Sequence, residues 1–231
     1  MDNRYYFSET SANSVVISGQ EAQHLSRVRR CKIGDEIVAF NGDGYDYHLI
    51  VKDILRDKVY ADILNKTLNR ATDDVNVTVY LSMIKNDALT SAIDNLAELN
   101  VKEVKLFKSD YSVAVVDEKK LEKLHQIAIQ ASKQSERADV MDISIIDKKE
   151  IENDCKDKQN VFFAYENSNN SIEKFQGDFA VIVGPEGGFS PAENDYFSSI
   201  AKNISLSKTI LRAEVACVVA VSSLKVVCNA S

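Results

Sequence analysis

The segment Gly184-Pro185-Glu186-Gly187-Gly188 gathers three of the chain's eight glycines and one of its two prolines. Glycines at that density let a ligand approach the backbone and leave N–H groups free to donate. Glu186 adds one carboxylate, which disfavours a phosphate and suits a cation, a hydroxyl or an amine. The segment is neither a Gly-Lys-Ser/Thr phosphate loop nor a G-x-G-x-x-G dinucleotide loop. A tight turn with no ligand is the plainer alternative. A second segment, Leu206-Ser207-Lys208-Thr209-Ile210-Leu211-Arg212-Ala213-Glu214, places two opposite charges at the entrance of an apolar helix. Arg212 and Glu214 would be costly to bury unpaired. They read either as a structural ion pair or as working residues.

The elements around these segments explain their placement. Phe179–Val183 is an apolar run of the buried parallel-strand type. Beyond the glycines, Ser190 reads as an N-cap, Pro191 as the first helical residue and Glu193 as the third, which makes a capping box. The loop therefore lies between a strand's C-terminal end and a helix, where open α/β sheets bind ligands. From about Val75 strands and helices alternate. Strands are expected at Val75–Ile84, Val104–Phe107, Ile143–Ile146 and Val161–Tyr165. Helices are expected at Ala88–Leu99, Glu118–Ser135 and Ala213–Cys228. That rhythm predicts a parallel α/β sheet. Residues 1–70 read mostly as short strands: Val15–Ile17, Glu36–Phe40, Tyr47–Ile54 and Val59–Leu64. One helix, Glu21 to about Arg30, carries Ala22, Leu25 and Val28 on one face. The polar stretch Asn69–Asp74 separates a small β-barrel-like domain, 1–70, from an α/β domain, 74–231.

Composition sets the outer bounds. The chain has 231 residues, 45% hydrophobic and 27% charged, which excludes a disordered, collagen-like or disulfide-scaffold protein. The net charge of −7 argues against a protein that coats nucleic acid, but not against a local basic site. Residues 1–70 are neutral, and their densest basic stretch is His24, Arg27, Arg29, Arg30 and Lys32, with Arg4 expected nearby. Phosphates are natural partners for it, and a solvated helix face is the alternative. Lys133, Gln134, Ser135 and Arg137 form a second polar cluster, expected in the C-terminal domain facing RNA or a dimer partner. The four cysteines show no C-x-x-C pair, so neither a metal site nor a disulfide framework is expected, and the cytoplasm is the expected compartment. The opening Met1–Tyr5 lacks a signal-peptide pattern, and no apolar run is long enough to span a membrane.

The two chemical segments resemble the SPOUT superfamily of S-adenosylmethionine-dependent RNA methyltransferases. Within it they resemble the RsmE family, which methylates N3 of one uridine in small-subunit (16S) ribosomal RNA. Gly184 through Glu193 match the family's G-P-E-G-G-[FL]-[ST]-x-x-E at every fixed position. Leu206, Ile210, Leu211, Arg212, Glu214 and Ala216 match L-G-x-x-I-L-R-x-E-T-A, with Ser207 in place of Gly and Val215 in place of Thr. Arg4-Tyr5-Tyr6-Phe7, the block from His24 to Asp35, Glu98-Leu99, and Gln134-Ser135 with Arg137 extend the likeness over most of the chain. Asn95, Asn100 and Tyr111 depart from it; Tyr111 stands near where the family usually has Arg.

The resemblance implies a PUA-like RNA-binding barrel followed by a methyltransferase domain with a deep trefoil knot, working as a homodimer. It implies S-adenosylmethionine among three loops: Tyr165-Glu166-Asn167, Val183 to Gly188 (Gly184, Pro185, Glu186, Gly187, Gly188), and Leu206 to Leu211 (with Ser207 and Ile210). Arg212 is the candidate for stabilising the uracil oxygen or a phosphate. Glu214 is the candidate for orienting it or accepting the N3 proton. Arg4, His24, Arg27, Arg30, Lys32 and Arg137 are the candidate RNA contacts, with 16S ribosomal RNA or the small ribosomal subunit as partner and no membrane or metal. The alternative is a SPOUT-fold RNA-binding protein with weakened catalysis, motivated by Asn95, Tyr111 and Ser207.

Overall fold

The computed structural model describes residues 4–11, 13–71 and 73–228. Met1 to Asn3, Asn229 to Ser231, and Thr72 in the polar stretch read as a boundary lie outside the described residues. The chain divides into two compact units, Met1–Thr72 with Ser132–Val140, and Asp73–Ala131 with Met141–Ser231.

The first unit holds β1 (Arg4–Tyr6), β2 (Glu9–Thr10), β3 (Ser14–Ser18), α1 (Gly19–Gln23), β4 (Glu36–Phe40), β5 (Tyr45–Ile54) and β6 (Lys58–Leu68). They form one six-stranded sheet, ordered β1-β4-β5-β6-β3-β2. Strands β1 and β2 are joined by two residues yet occupy opposite edges. The span from Tyr6 to Glu9 reaches at most about 11 Å. A flat sheet of six strands would hold its edges about 24 Å apart. The sheet must therefore curl around its core of Tyr5, Phe7, Val15, Ile17, Leu25, Leu49, Val51 and Val59.

Three expectations for this unit are corrected. The helix expected to about Arg30 ends early: α1 gives way at His24–Val28 to a π-helical turn. Its wider winding turns Val28 out to solvent, while Ala22 and Leu25 stay buried. The cluster around Arg137 belongs with the first unit rather than the C-terminal domain. Finally, two candidate RNA contacts are consumed inside that unit. Arg137 is 1% exposed, and its Nε and a terminal nitrogen donate to the two Asp139 carboxylate oxygens at 3.1 and 2.9 Å. Arg4, also buried, donates to Asp46 and to the Glu136 carbonyl and lies over the Phe40 ring. Neither side chain is presented to an RNA.

The second unit runs β7 (Val77–Ser82), α2 (Asn86–Glu98), β8 (Glu103–Phe107), α3 (Glu118–Gln134, whose last residues join the first unit), β9 (Asp142–Ile145), α4 (Ile151–Cys155), β10 (Asn160–Ala164), β11 (Phe179–Val183), α5 (Pro191–Ile200), β12 (Lys202–Ile204) and α6 (Ala213–Cys228). Its six strands are all parallel, in the order β12-β10-β11-β7-β8-β9. Every residue of the central strands β7 and β11 is buried, as a sheet covered on both faces requires. One face packs on Ile151, Cys155 and Phe197 of α4 and α5. Helix α6 packs on β7, β11 and α2. Strand β12 was not anticipated; three residues give too short a pattern to read.

Removing Arg137 should act on folding. Arg137→Ala leaves Asp139 buried without its bidentate partner and should cost about 3–5 kcal/mol. Arg27→Ala, at an exposed position, should stay within about 0.5 kcal/mol. Denaturant midpoints of the two variants check the contrast.

Candidate active site

Because the strands are parallel, the segments that follow β10, β11 and β12 all leave the sheet at one edge. Together with the start of α6 they line an open cleft. Its walls are Tyr165 and Glu166 after β10, Gly184, Pro185, Gly188 and Phe189 after β11, Leu206 to Leu211 after β12, and Ala213 and Ala216 of α6.

The glycine loop is set by local chemistry. Gly188 adopts φ +71° and its N–H donates to the Pro185 carbonyl at 3.0 Å, closing a turn that a side chain would strain. A Cβ on Gly184 would lie 2.8 Å from Cε2 of Phe189. That ring in turn packs among Phe107, Phe163 and Phe197 at centroid distances of 6.2, 5.5 and 4.9 Å. The capping box is present: the Ser190 hydroxyl accepts from the Glu193 N–H, and the Glu193 carboxylate accepts from the Ser190 N–H.

Glu193 does more than cap. It is 3% exposed, and its other oxygen accepts from the Asp110 N–H at 2.9 Å and from Lys148 Nζ at 2.6 Å. Lys148 also donates to Asp110, which accepts from the Ser190 hydroxyl as well. Hydrogen bonds from Lys148 and Ser190 hold the Asp110 carboxyl below its ordinary value. Burial alone would lower the Lys148 pKa, but its two carboxylate partners raise it.

Ten of the twelve residues expected around a cofactor line the cleft: Tyr165, Glu166, Val183, Gly184, Pro185, Gly188, Leu206, Ser207, Ile210 and Leu211. Glu186 and Gly187 do not line it. The Glu186 carboxylate accepts from the Lys85 N–H at 3.1 Å, and Gly187 lies against Tyr111. Ser207 is satisfied inside its own loop, its hydroxyl 2.9 Å from that of Thr209 and accepting the Thr209 N–H at 3.1 Å. Arg212 is exposed beside the cleft and Glu214 half-buried; among the described residues the two form no ion pair. His24, Arg27, Arg30 and Lys32 are exposed on the first unit.

Sequence reasoning missed Ala164, Phe189, Asn194, Ala213 and Ala216 in the cleft wall. The two alanines sit three apart on α6, and that small-residue spacing was the available signal. Asn194 had none, since its place follows from where α5 begins. No cluster that could hold a metal ion, and no helix long and apolar enough to cross a membrane, occurs among the described residues.

A parallel sheet with a three-loop cleft at its C-terminal edge, and a separate curled β unit, are also what comparison with known proteins returns. The RNA methyltransferase domain family matches residues 71–225, and the RNA methyltransferase PUA domain family matches residues 17–64. The chain belongs to the RNA methyltransferase domain family. Over 96% of its length it is 29% identical to the ribosomal RNA small subunit methyltransferase E of Rickettsia conorii, and 26% identical to that of Bacillus subtilis, covering 95% of each. Its fold matches the crystal structure of a ribosomal RNA small subunit methyltransferase E from Neisseria gonorrhoeae bound to S-adenosyl methionine. The TM-score is 0.87 at 23% identity, over 99% of this chain and 98% of the other.

Lys148→Met strips Glu193 of its cation and should lower stability by about 1–3 kcal/mol. Asp110 supplies a pH test. Its folded pKa lies below the ordinary 3.8, so its contribution is present above that value and lost as pH falls through the depressed one. Acid titration should therefore lose this contribution only below about pH 4. Chemical denaturation of Asp110→Asn at pH 3 and pH 7 should differ from wild type less at the lower pH.

Proposed function

We propose that this protein binds S-adenosylmethionine in the three-loop cleft and methylates N3 of a uridine in 16S ribosomal RNA, in the cytoplasm and as a homodimer. The observation that carries the reading is the cleft itself, walled by the three motif loops with Arg212 free at its side. The names of the relatives, and the S-adenosyl methionine bound to the Neisseria gonorrhoeae protein, support the same substrate and cofactor. The knotted topology implied by the resemblance is part of this reading.

The residues present fit the cofactor. Val183, Leu206, Leu211 and Ala216 offer an apolar bed for an adenine ring. The Glu166 carboxylate has no partner among the described residues and suits ribose hydroxyls. Ile210, 91% exposed, extends the apolar wall outward. Bound there, S-adenosylmethionine supplies a methyl group on a sulfonium. The uridine N3 carries a proton that must leave before or as the new N–C bond forms. The Glu214 carboxylate accepts it, and the Arg212 guanidinium stabilises the negative charge that develops on the uracil oxygen. A satisfied Ser207 gives no support to the weakened-enzyme alternative.

Two features support the partners. Val215 and Val226 are exposed on α6 and stand eleven residues apart, about three turns, so they share one face. A second copy of the chain would cover that apolar face. Arg27, Arg30 and Lys32 make no ion pair among the described residues and are available to phosphates.

Arg212→Ala should lower methyl transfer by at least about 10²-fold while calorimetry still shows cofactor binding. Near-normal turnover would remove Arg212 from the mechanism. Primer extension across 16S RNA from cells lacking the gene should show one uridine losing its block. Replacing Arg27 and Arg30 together should weaken RNA binding and reduce the salt slope by about 2. An unchanged slope would place the phosphate surface elsewhere.

A further inference from the structure

The loop after β8, residues 108–117, leaves the sheet at the same edge as the cleft, because β8 is parallel to β7 and β11. At its turn stands Tyr111, 50% exposed, with a hydroxyl that has no partner among the described residues. Its Cβ lies 3.4 Å from where a Cβ on Gly187 would sit, so the ring is rooted against the glycine loop.

Both chain neighbours of this ring are pinned. On one side the Asp110 N–H donates to buried Glu193, and its carboxylate binds Lys148 and the Ser190 hydroxyl. On the other side Ser112 joins a three-hydroxyl cluster. The Ser82, Ser109 and Ser112 oxygens lie 2.7, 2.8 and 2.9 Å apart, and the Ser109 N–H donates to Ser112 at 3.1 Å. An aromatic side chain left in water on so well-held a backbone loses little entropy when a flat partner covers it.

We propose that Tyr111 is a substrate-positioning residue that stacks on a nucleobase of the RNA, the target uracil or its immediate neighbour, beside the glycine loop. The inference rests on the methyltransferase reading above. A nucleobase is favoured over a second copy of this chain on two grounds. The ring adjoins the glycine loop, and its immediate chain neighbours are the polar Asp110 and Ser112, with the exposed Val113 and Val115 further along the same loop. Stacking is sequence-tolerant and adds affinity without reading a base edge.

The chain contains no tryptophan, so Tyr111→Trp installs a single reporter at the site. Its emission should be quenched when a uridine-containing 16S RNA fragment is titrated in. Emission that ignores the RNA while a gel shift shows binding would overturn the proposal. So would emission that changes only as the protein is diluted, which would place the ring between protein copies. Tyr111→Ala should raise the KM for RNA about tenfold, with Tyr111→Phe close to wild type. Cofactor affinity, measured by calorimetry on all three variants, should be unchanged. An Ala variant with wild-type KM for RNA would overturn the stacking role. If wild-type protein binds no S-adenosylmethionine, the methyltransferase reading itself fails, and the two failures are told apart.

Discussion

The close approach of the Phe189 ring to Gly184 is the constraint on which the site depends. A side chain at position 184 would meet the ring at 2.8 Å. The ring cannot yield easily, because it is locked among Phe107 of β8, Phe163 of β10 and Phe197 of α5. Close-packed aromatic clusters tolerate little displacement. The glycine loop is thus bound to the sheet below it by packing before any ligand is considered. With its floor fixed, the loop's own turn at Gly188 decides which surface faces the cleft.

A second anchor works sideways. A buried carboxylate is costly unless it is fully paired. Glu193 meets that condition with donors from three separate pieces of chain: the Ser190 N–H, the Asp110 N–H and the Lys148 ammonium. Satisfying one charge therefore ties the loop after β8, the segment after β9 and the loop after β11 to the start of α5 at once. Glu193, the tenth residue of the family's loop pattern, makes sense as this tie rather than as a ligand contact. The consequence is a rigid rim, which lowers the entropy lost when a ligand is held there.

Local chemistry explains which parts of this were legible from sequence. Strand β11, helix α6 and the capping box are written in contiguous residues, and they appear where their patterns place them. The cleft residues on the three loops were legible because motif spacing carried them. What was not legible depends on partners far away in the chain. Arg137 pairs with Asp139 only two residues on, but its burial comes from the distant strands of the first unit, which nothing near it in sequence indicates. The π-helical turn was hidden for a related reason. Ala22, Leu25 and Val28 fit an α-helical period, but the chain must leave the helix to reach Arg30 at φ +53°, and Val28 is released to solvent. Glu186 was misplaced because a carboxylate in a glycine-rich loop looks like a ligand contact until the Lys85 N–H claims it.

These corrections change the electrostatic argument about RNA. Of the basic side chains expected to meet phosphates, Arg4 and Arg137 are spent on Asp46 and Asp139. Lys133 is spent on Glu21. Of the candidate phosphate contacts, the short run from His24 to Lys32 remains, displayed where the π-helical turn and the left-handed Arg30 carry it out to solvent. Four or five cations in one stretch neutralise few phosphates, and every phosphate left without a cation forgoes its share of counterion release. In a protein of net charge −7 Coulomb attraction by this run alone is a modest contribution at physiological salt. In the reading proposed above, part of the balance comes from interactions that salt does not screen, such as stacking on an exposed ring. Binding by such an enzyme should accordingly be less salt-sensitive than that of a basic RNA-coating protein, and more sensitive to the shape of its single-stranded target.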